Sequence, residues 1–232
     1  MLEIYPHVYF FAGQGYNCNC YIIQGDESSL IIDSGLGKYG TVWGDNTANQ
    51  RIFENILTSE EKNYELCITH AHLDHSGGIM SLNNNIRNKI KILAHKDESR
   101  YLEEPNRRYI DPITKSTSIK PIFIDKKLEN ENIVSFGDFE LKIIHTPGHT
   151  SGSICLYERE KKLLFSGDTV FPEGSFGRVD FPGSNPELMI ESLELITSLD
   201  VIGLFAGHMN PVISTEIQKD LMMSYKIAKE FI

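Results

Sequence analysis

The stretch ELCITHAHLDHSGGIM crowds His70, His72, Asp74 and His75 into one short turn, and three later hydrophobic runs end on residues of the same kind. HTPGHTSG carries His149, LLFSGDTVF carries Asp168 and LFAGHMNP carries His208. Imidazole and carboxylate are ligand types for Zn, Fe and Mn. Leaving so many polar groups uncompensated in a cleft would cost roughly 1 to 3 kcal/mol each, and a bound cation removes that cost. Any one of these histidines alone reads as part of a solvated loop, whereas the set together reads as a metal centre. Gly77 and Gly78, which follow the turn, permit close backbone approach.

Such a centre needs elements that carry its side chains to one place. VYFFAG, CYIIQG and SLIIDSG are short, rich in β-branched and aromatic residues, and end at Gly, as strands joined by turns do. Over 47–58, Ile52, Phe53, Ile56 and Leu57 recur at helical spacing, which predicts a helix leading into a strand at ELCIT. A helix is expected from near Ser76, then a strand at KIKILAH and a helical or looped insertion over 96–120. The strands FELKIIHT, SICLYE and KLLFSGD follow, and PELMIESLELITSL reads as an amphipathic helix started by Asn185 with Pro186 just inside it. VIGLFAGH is the last strand and 214–232 the last helix. His149, Asp168 and His208 therefore sit just past strand ends, where function gathers in α/β architectures.

The 232 residues carry a formal net charge of −10 at pH 7 and an apolar share of 41%, which suits a single domain, 1–232, with a real core. Such acidity argues against nucleic acid, which is held through clustered Lys and Arg. A small-molecule substrate fits better. The start MLEIYPHVYFFAGQG lacks a secretory pattern and no apolar run approaches membrane length, so neither export nor a membrane partner is expected. The four cysteines then read as reduced thiols in a cytoplasmic protein.

The H-x-H-x-D-H turn followed by His149, Asp168 and His208 resembles the signature of the metallo-β-lactamase superfamily, over nearly the whole length. The resemblance implies an α/β fold, a four-layer αβ/βα sandwich of two mixed β-sheets flanked by helices. It also implies two divalent metal ions, Zn first with Fe or Mn as alternatives. His70, His72 and His149 would hold one ion, Asp74, His75 and His208 the other, and Asp168 would bridge them. Asp74 and Asp168 then take catalytic roles beside a metal-activated hydroxide. Asp33, at the end of SLIIDSG, falls where the family places a carboxylate supporting the metal-binding turn; by itself it would be an ordinary turn former.

The bridging Asp168 sets the chain apart from the β-lactamases of that superfamily. THAHLDHSGG, HTPGHTSGS, LFSGDTVF and SFGRVDFPGSN are similar instead to glyoxalase II and its short relatives, thioesterases of the S-lactoylglutathione type. The larger glyoxalase II enzymes carry a helical C-terminal extension that helps hold glutathione, and this chain stops soon after His208. Arg178 is a candidate contact for a substrate carboxylate, with a surface ion pair as its alternative. The rival activities are a mononuclear iron enzyme resembling the persulfide dioxygenases, using His70, His149 and Asp168, a lactonase, and a non-catalytic binding module of the same fold.

Other residues are set aside. Cys18 and Cys20 suit one strand face better than a zinc site, and Cys67 and Cys155 read as core. His7, His95 and His145 are excluded as ligands, and Arg107, Arg108 and Tyr109 read as an ordinary loop surface. Trp43 could wall the cleft or pack on the surface.

Overall fold

In a computed structural model, residues 1–42, 63–113 and 119–232 are described; Trp43 and the helix expected over 47–58 lie outside them. The chain forms two compact units, one of 1–94, 99–127 and 136–138, the other of 95–98, 128–135 and 139–232.

The first unit is built on a seven-stranded sheet in which β1 (Leu2–Tyr5), β2 (Val8–Phe11), β3 (Cys20–Gln24), β4 (Ser28–Ile32), β5 (Asn63–Ile68), β6 (Ile90–His95) and β7 (Lys126–Leu128) lie in chain order. The first four strands run antiparallel, while β4, β5 and β6 are parallel to one another. Parallel neighbours need crossovers, and α1 (Leu73–Ser81) with α2 (Asn84–Arg87) makes the one from β5 to β6. Tyr64, Leu66 and Ile68 of β5 and Ile90, Ile92 and Ala94 of β6 cluster with Ile79 and Met80 of α1. The intervening Cys67 and Leu93 are buried too. Strands buried on both faces lose the polar alternation, which is why ELCI and IKILA read as nearly unbroken apolar runs.

The insertion at 96–120 contributes α3 (Lys96–Glu103) and α4 (Arg107–Ile110), whose Leu102, Tyr109 and Ile110 join the same core. Among its described residues two short helices are present, and part of the segment is packed rather than wet.

The second unit holds a six-stranded sheet of β8 (Ile133–Phe136), β9 (Phe139–His145), β10 (Ile154–Glu158), β11 (Leu163–Gly167), β14 (Gly203–Ala206) and β15 (Val212–Ile213), with β12 (Val170–Phe171) and β13 (Ser175–Phe176) as a small separate ribbon. β11 and β14 are parallel, and the neighbouring pairs β9–β10, β10–β11 and β14–β15 are antiparallel, so this sheet is also mixed. On one side lie α5 (Pro186–Thr197) and α6 (Ile217–Phe231), which bury Met189, Leu193 and Ile196, and Ile217, Leu221 and Ala228, against Ile144, Leu164 and Leu204. Burying each large aliphatic chain contributes roughly 1.5 to 3 kcal/mol. The Asn185 cap is formed as the sequence suggests, its Oδ1 accepting from the Leu188 N–H at 2.9 Å with Pro186 in the first helical position. Two mixed β-sheets flanked by helices are thus present. Among the described residues no helix is long and apolar enough to cross a membrane.

Candidate metal centre

In the first unit the ligand-type residues lie past the C-terminal ends of β4 and β5. Parallel pairing sets Ile32 opposite Cys67, so Asp33, one residue beyond β4, meets the turn that leaves β5. Its backbone N–H donates to the Cys67 carbonyl at 3.0 Å. The side chain is buried and saturated. Oδ1 accepts from the Thr69 N–H at 2.8 Å, and Oδ2 accepts from the Thr69 hydroxyl and from His75 Nδ1, each at 2.8 Å. Asp33 holds φ at 59°, a left-handed conformation that Asp tolerates better than most residues.

This network assigns the imidazole protons. A carboxylate only accepts, so His75 carries a proton on Nδ1 and turns Nε2 toward Asp74, 3.5 Å from Oδ2. With its hydroxyl proton given to Asp33, Thr69 Oγ1 can accept from His70 Nδ1 at 3.2 Å, which leaves the His70 Nε2 lone pair 3.0 Å from His72 Nδ1. Two ligands about 2.0 Å from a tetrahedral cation stand about 3.3 Å apart. The donor spacing within the unit fits that requirement.

The helix after the turn starts at Leu73, earlier than the expected start near Ser76, so Asp74 and His75 occupy its first turn. Ser76 accounts for the difference, its hydroxyl donating to the Ala71 and His72 carbonyls at 3.0 and 3.1 Å and closing the turn from inside the helix. Asp74 there also complements the helix dipole. The close approach expected at the two glycines is realised. A Cβ on Gly78 would stand 1.9 Å from the Ser34 carbonyl oxygen, and one on Gly77 2.6 Å from that of Leu36. Ser34 N–H and Oγ both donate to the His75 carbonyl, at 2.8 and 2.9 Å, which locks the helix start to the Asp33 loop.

In the second unit β9, β11 and β14 all run the same way, because β10 is antiparallel to both β9 and β11 and β14 is parallel to β11. His149, Asp168 and His208 follow the C-terminal ends of those three strands. The Gly207 N–H donates to the Gly167 carbonyl at 2.8 Å, which draws Asp168 and His208 together across forty positions of sequence. Asp168 Oδ2 lies 3.5 Å from His149 Nε2 and 3.5 Å from His208 Nε2. One carboxylate thus faces two imidazoles. His149 Nδ1 donates to the Arg178 carbonyl at 2.7 Å, so Nε2, the nitrogen nearer Asp168, is the one left for another partner.

The Arg178 guanidinium is exposed and forks onto Asp180, with Nε to Oδ1 at 2.9 Å and Nη2 to Oδ2 at 2.6 Å, while stacking 4.2 Å over the Phe181 ring. The hydrogen bonds from Arg178, and then its charge, hold the Asp180 carboxyl below its ordinary pKa.

Tyr109 is the residue that reading by composition missed. It is buried, stacks on Tyr101 with ring centres 3.6 Å apart, and lies 6.4 Å from the His72 ring. The signal available was Tyr109–Ile110, an apolar pair inside a charged stretch.

All four cysteines are buried and unbridged. Burial pushes the Cys155 thiol up to about 11 and raises Cys18 and Cys67 as well, so none of these three is a ready thiolate. His95 and His145, with Asp97, bring ligand-type atoms close together. The two rings, however, stack with centres 4.0 Å apart and planes 16° apart. Imidazole lone pairs lie in the ring plane, so a cation about 2.0 Å from one nitrogen cannot also lie along the lone pair of the other.

Residues 65–208 match the family model described as the metallo-beta-lactamase superfamily. The chain is 33% identical over 196 residues to hydroxyacylglutathione hydrolase GloC of Haemophilus influenzae, covering 82% of this chain and 84% of that one. It is 26% identical over 226 residues to the acyl-coenzyme A thioesterase MBLAC2 of Homo sapiens, covering 86% and 76%. Among solved structures, the BLEG-1 B3 metallo-beta-lactamase superposes with a TM-score of 0.68 at 25% identity, over 94% of this chain and 99% of that one.

Proposed function

The chain belongs to the metallo-beta-lactamase superfamily, and from that premise we propose that it is a two-metal hydrolase of small thioesters. The observation that carries the reading is the placement of Asp168, one carboxylate oxygen 3.5 Å from the Nε2 atoms of both His149 and His208. An oxygen so placed suits two cations at once. His70, His72 and His149 would hold one cation, Asp74, His75 and His208 the other, and Asp168 would serve both. With a proton held on Nδ1 of His75 and of His149, Nε2 is the nitrogen each ring would give to a cation, its own proton released on binding.

When bound, the cations, Zn or alternatively Fe or Mn, supply Lewis-acid polarisation of a carbonyl and a water acidic enough to ionise near neutral pH. The chain's own residues hold and orient. Asp33 and the Arg178 carbonyl fix His75 and His149 in the tautomers that offer Nε2. Asp74, 23% exposed and 3.5 Å from His75 Nε2, would take its catalytic part as a carboxylate ligand open to solvent. A thiol leaving group has a pKa of about 8.5, so the chain need not supply an acid to expel it. This suits a thioester better than an amide.

One relative named above is a hydroxyacylglutathione hydrolase and the other an acyl-coenzyme A thioesterase, so the substrate panel should contain S-lactoylglutathione and short and long acyl-coenzyme A esters. The expected result is close to two metal ions per chain and thiol release without oxygen uptake. One iron per chain with persulfide-dependent oxygen consumption would replace this reading with an oxygenase. Turnover of lactones alone would make it a lactonase, and metal binding without turnover of any ester would make it a binding module.

A further inference from the structure

Resting on the reading that His149 holds a cation, we propose that Arg178 and Asp180 act as positioning residues, clamping the backbone carbonyl that orients His149, and that the Arg178 guanidinium does not grip substrate. The carbonyl of Arg178 accepts the His149 Nδ1 proton at 2.7 Å and so decides which nitrogen offers its lone pair. Its position is held from two directions. On one side Gly177 lies against the backbone of Asp168, so close that a Cβ would stand 1.9 Å from the Asp168 carbonyl oxygen and 3.0 Å from His149 Nδ1. On the other, the Arg178 side chain turns back onto residues that follow it. Both nitrogens of the fork meet both oxygens of Asp180, and the guanidinium plane covers Phe181, whose ring meets His149 edge to face with centres 6.3 Å apart. The segment then closes on the histidine's own backbone, where the Ser184 hydroxyl donates to the His149 carbonyl at 2.7 Å.

A planar five-donor fork matched to a carboxylate is geometrically specific. Here it ties position 178 to position 180, and the carbonyl between Arg178 and Val179 lies inside that short loop. Because the ion pair is exposed, it adds little to global stability, and its effect should appear at His149 instead. A carbonyl free to drift lets the imidazole exchange tautomers and turn.

The test compares Arg178→Ala, Asp180→Ala and the double variant. Each single variant is expected to give up metal to a competing chelator about tenfold more readily, the lower end of the range for outer ligand supports. Each should also lower kcat about tenfold with KM within about twofold, and the double variant should be no worse than either single one, since both remove the same clamp. Melting temperature should not change. In metal-free protein, nitrogen NMR of His149 should report the Nδ1–H tautomer in the wild type and a mixture in each variant. A substrate contact would behave differently, with Arg178→Ala raising KM at unchanged kcat and Asp180→Ala sparing both, and that pattern would overturn the proposal. If the wild type takes up no metal, the hydrolase reading fails by itself. The tautomer measurement still decides the clamp, which is refuted by an unchanged signal in both variants.

Discussion

Asp33→Asn isolates the buried carboxylate that sets the tautomer of His75. Asn occupies left-handed backbone as readily as Asp, so the φ of 59° adds no cost, and the volume is nearly unchanged. What changes is the donor count. If the amide oxygen keeps the Thr69 N–H, the amide nitrogen faces the Thr69 hydroxyl and His75 Nδ1, both of which donate to Asp33 now at 2.8 Å. Bonds to a charged group are worth about 1.5 to 3 kcal/mol each. Rotation of the Thr69 hydroxyl and transfer of the His75 proton to Nε2 recover part of that, which leaves a loss of about 3 kcal/mol. In a protein of this size that corresponds to a fall of about 6 to 12 °C in melting temperature. The transferred proton also occupies the lone pair proposed for the metal, so affinity at that site should fall about 10- to 100-fold. Calorimetry of metal-free protein and chelator competition on loaded protein measure the two effects separately. A variant that melts within about 2 °C of the wild type and holds metal equally well would show that the carboxylate does not govern His75.

Three further outcomes follow from particular contacts. Asp168→Ala should lower metal content from two ions per chain and cut thioester turnover at least about a hundredfold, as read by elemental analysis and thiol release, because one oxygen faces both His149 and His208. Gly177→Ala should destabilise the protein by about 1 to 3 kcal/mol in denaturant titration and release metal, since its Cβ would collide with the Asp168 carbonyl. His95 gives a pH dependence: burial first, then the facing His145, outweigh Asp97 and Glu129 and bring its pKa from 6.5 to about 4. The unfolded chain then binds more protons between those values, so stability is full above about pH 6.5 and declines as pH falls toward about 4. His95→Gln should flatten that part of the stability profile in equilibrium unfolding.

Much of this was legible in the residues themselves. The ligand types, their crowding after ELCIT and their recurrence at three later strand ends are local features, as are the Asn185 cap and the apolar runs that became β5, β6 and β11. Local propensity and hydrophobic pattern are written along the chain, so such elements can be read without neighbours. The helix start at Leu73 is not legible in this way, because Ser76 bonds back into the turn that precedes it.

What required the tertiary structure was every relation across strands. Parallel register brings Asp33 to Thr69 and His75, and the join of Gly207 to Gly167 brings His208 to Asp168. Which imidazole nitrogen carries the proton, and that the Arg178 guanidinium turns to Asp180 while its carbonyl serves His149, follow from contacts no spacing encodes. The burial of Tyr109 near His72 belongs with them. A sequence states which groups a chain owns, but a hydrogen bond is directional over about 3 Å, and that distance is decided where separate strands are laid side by side.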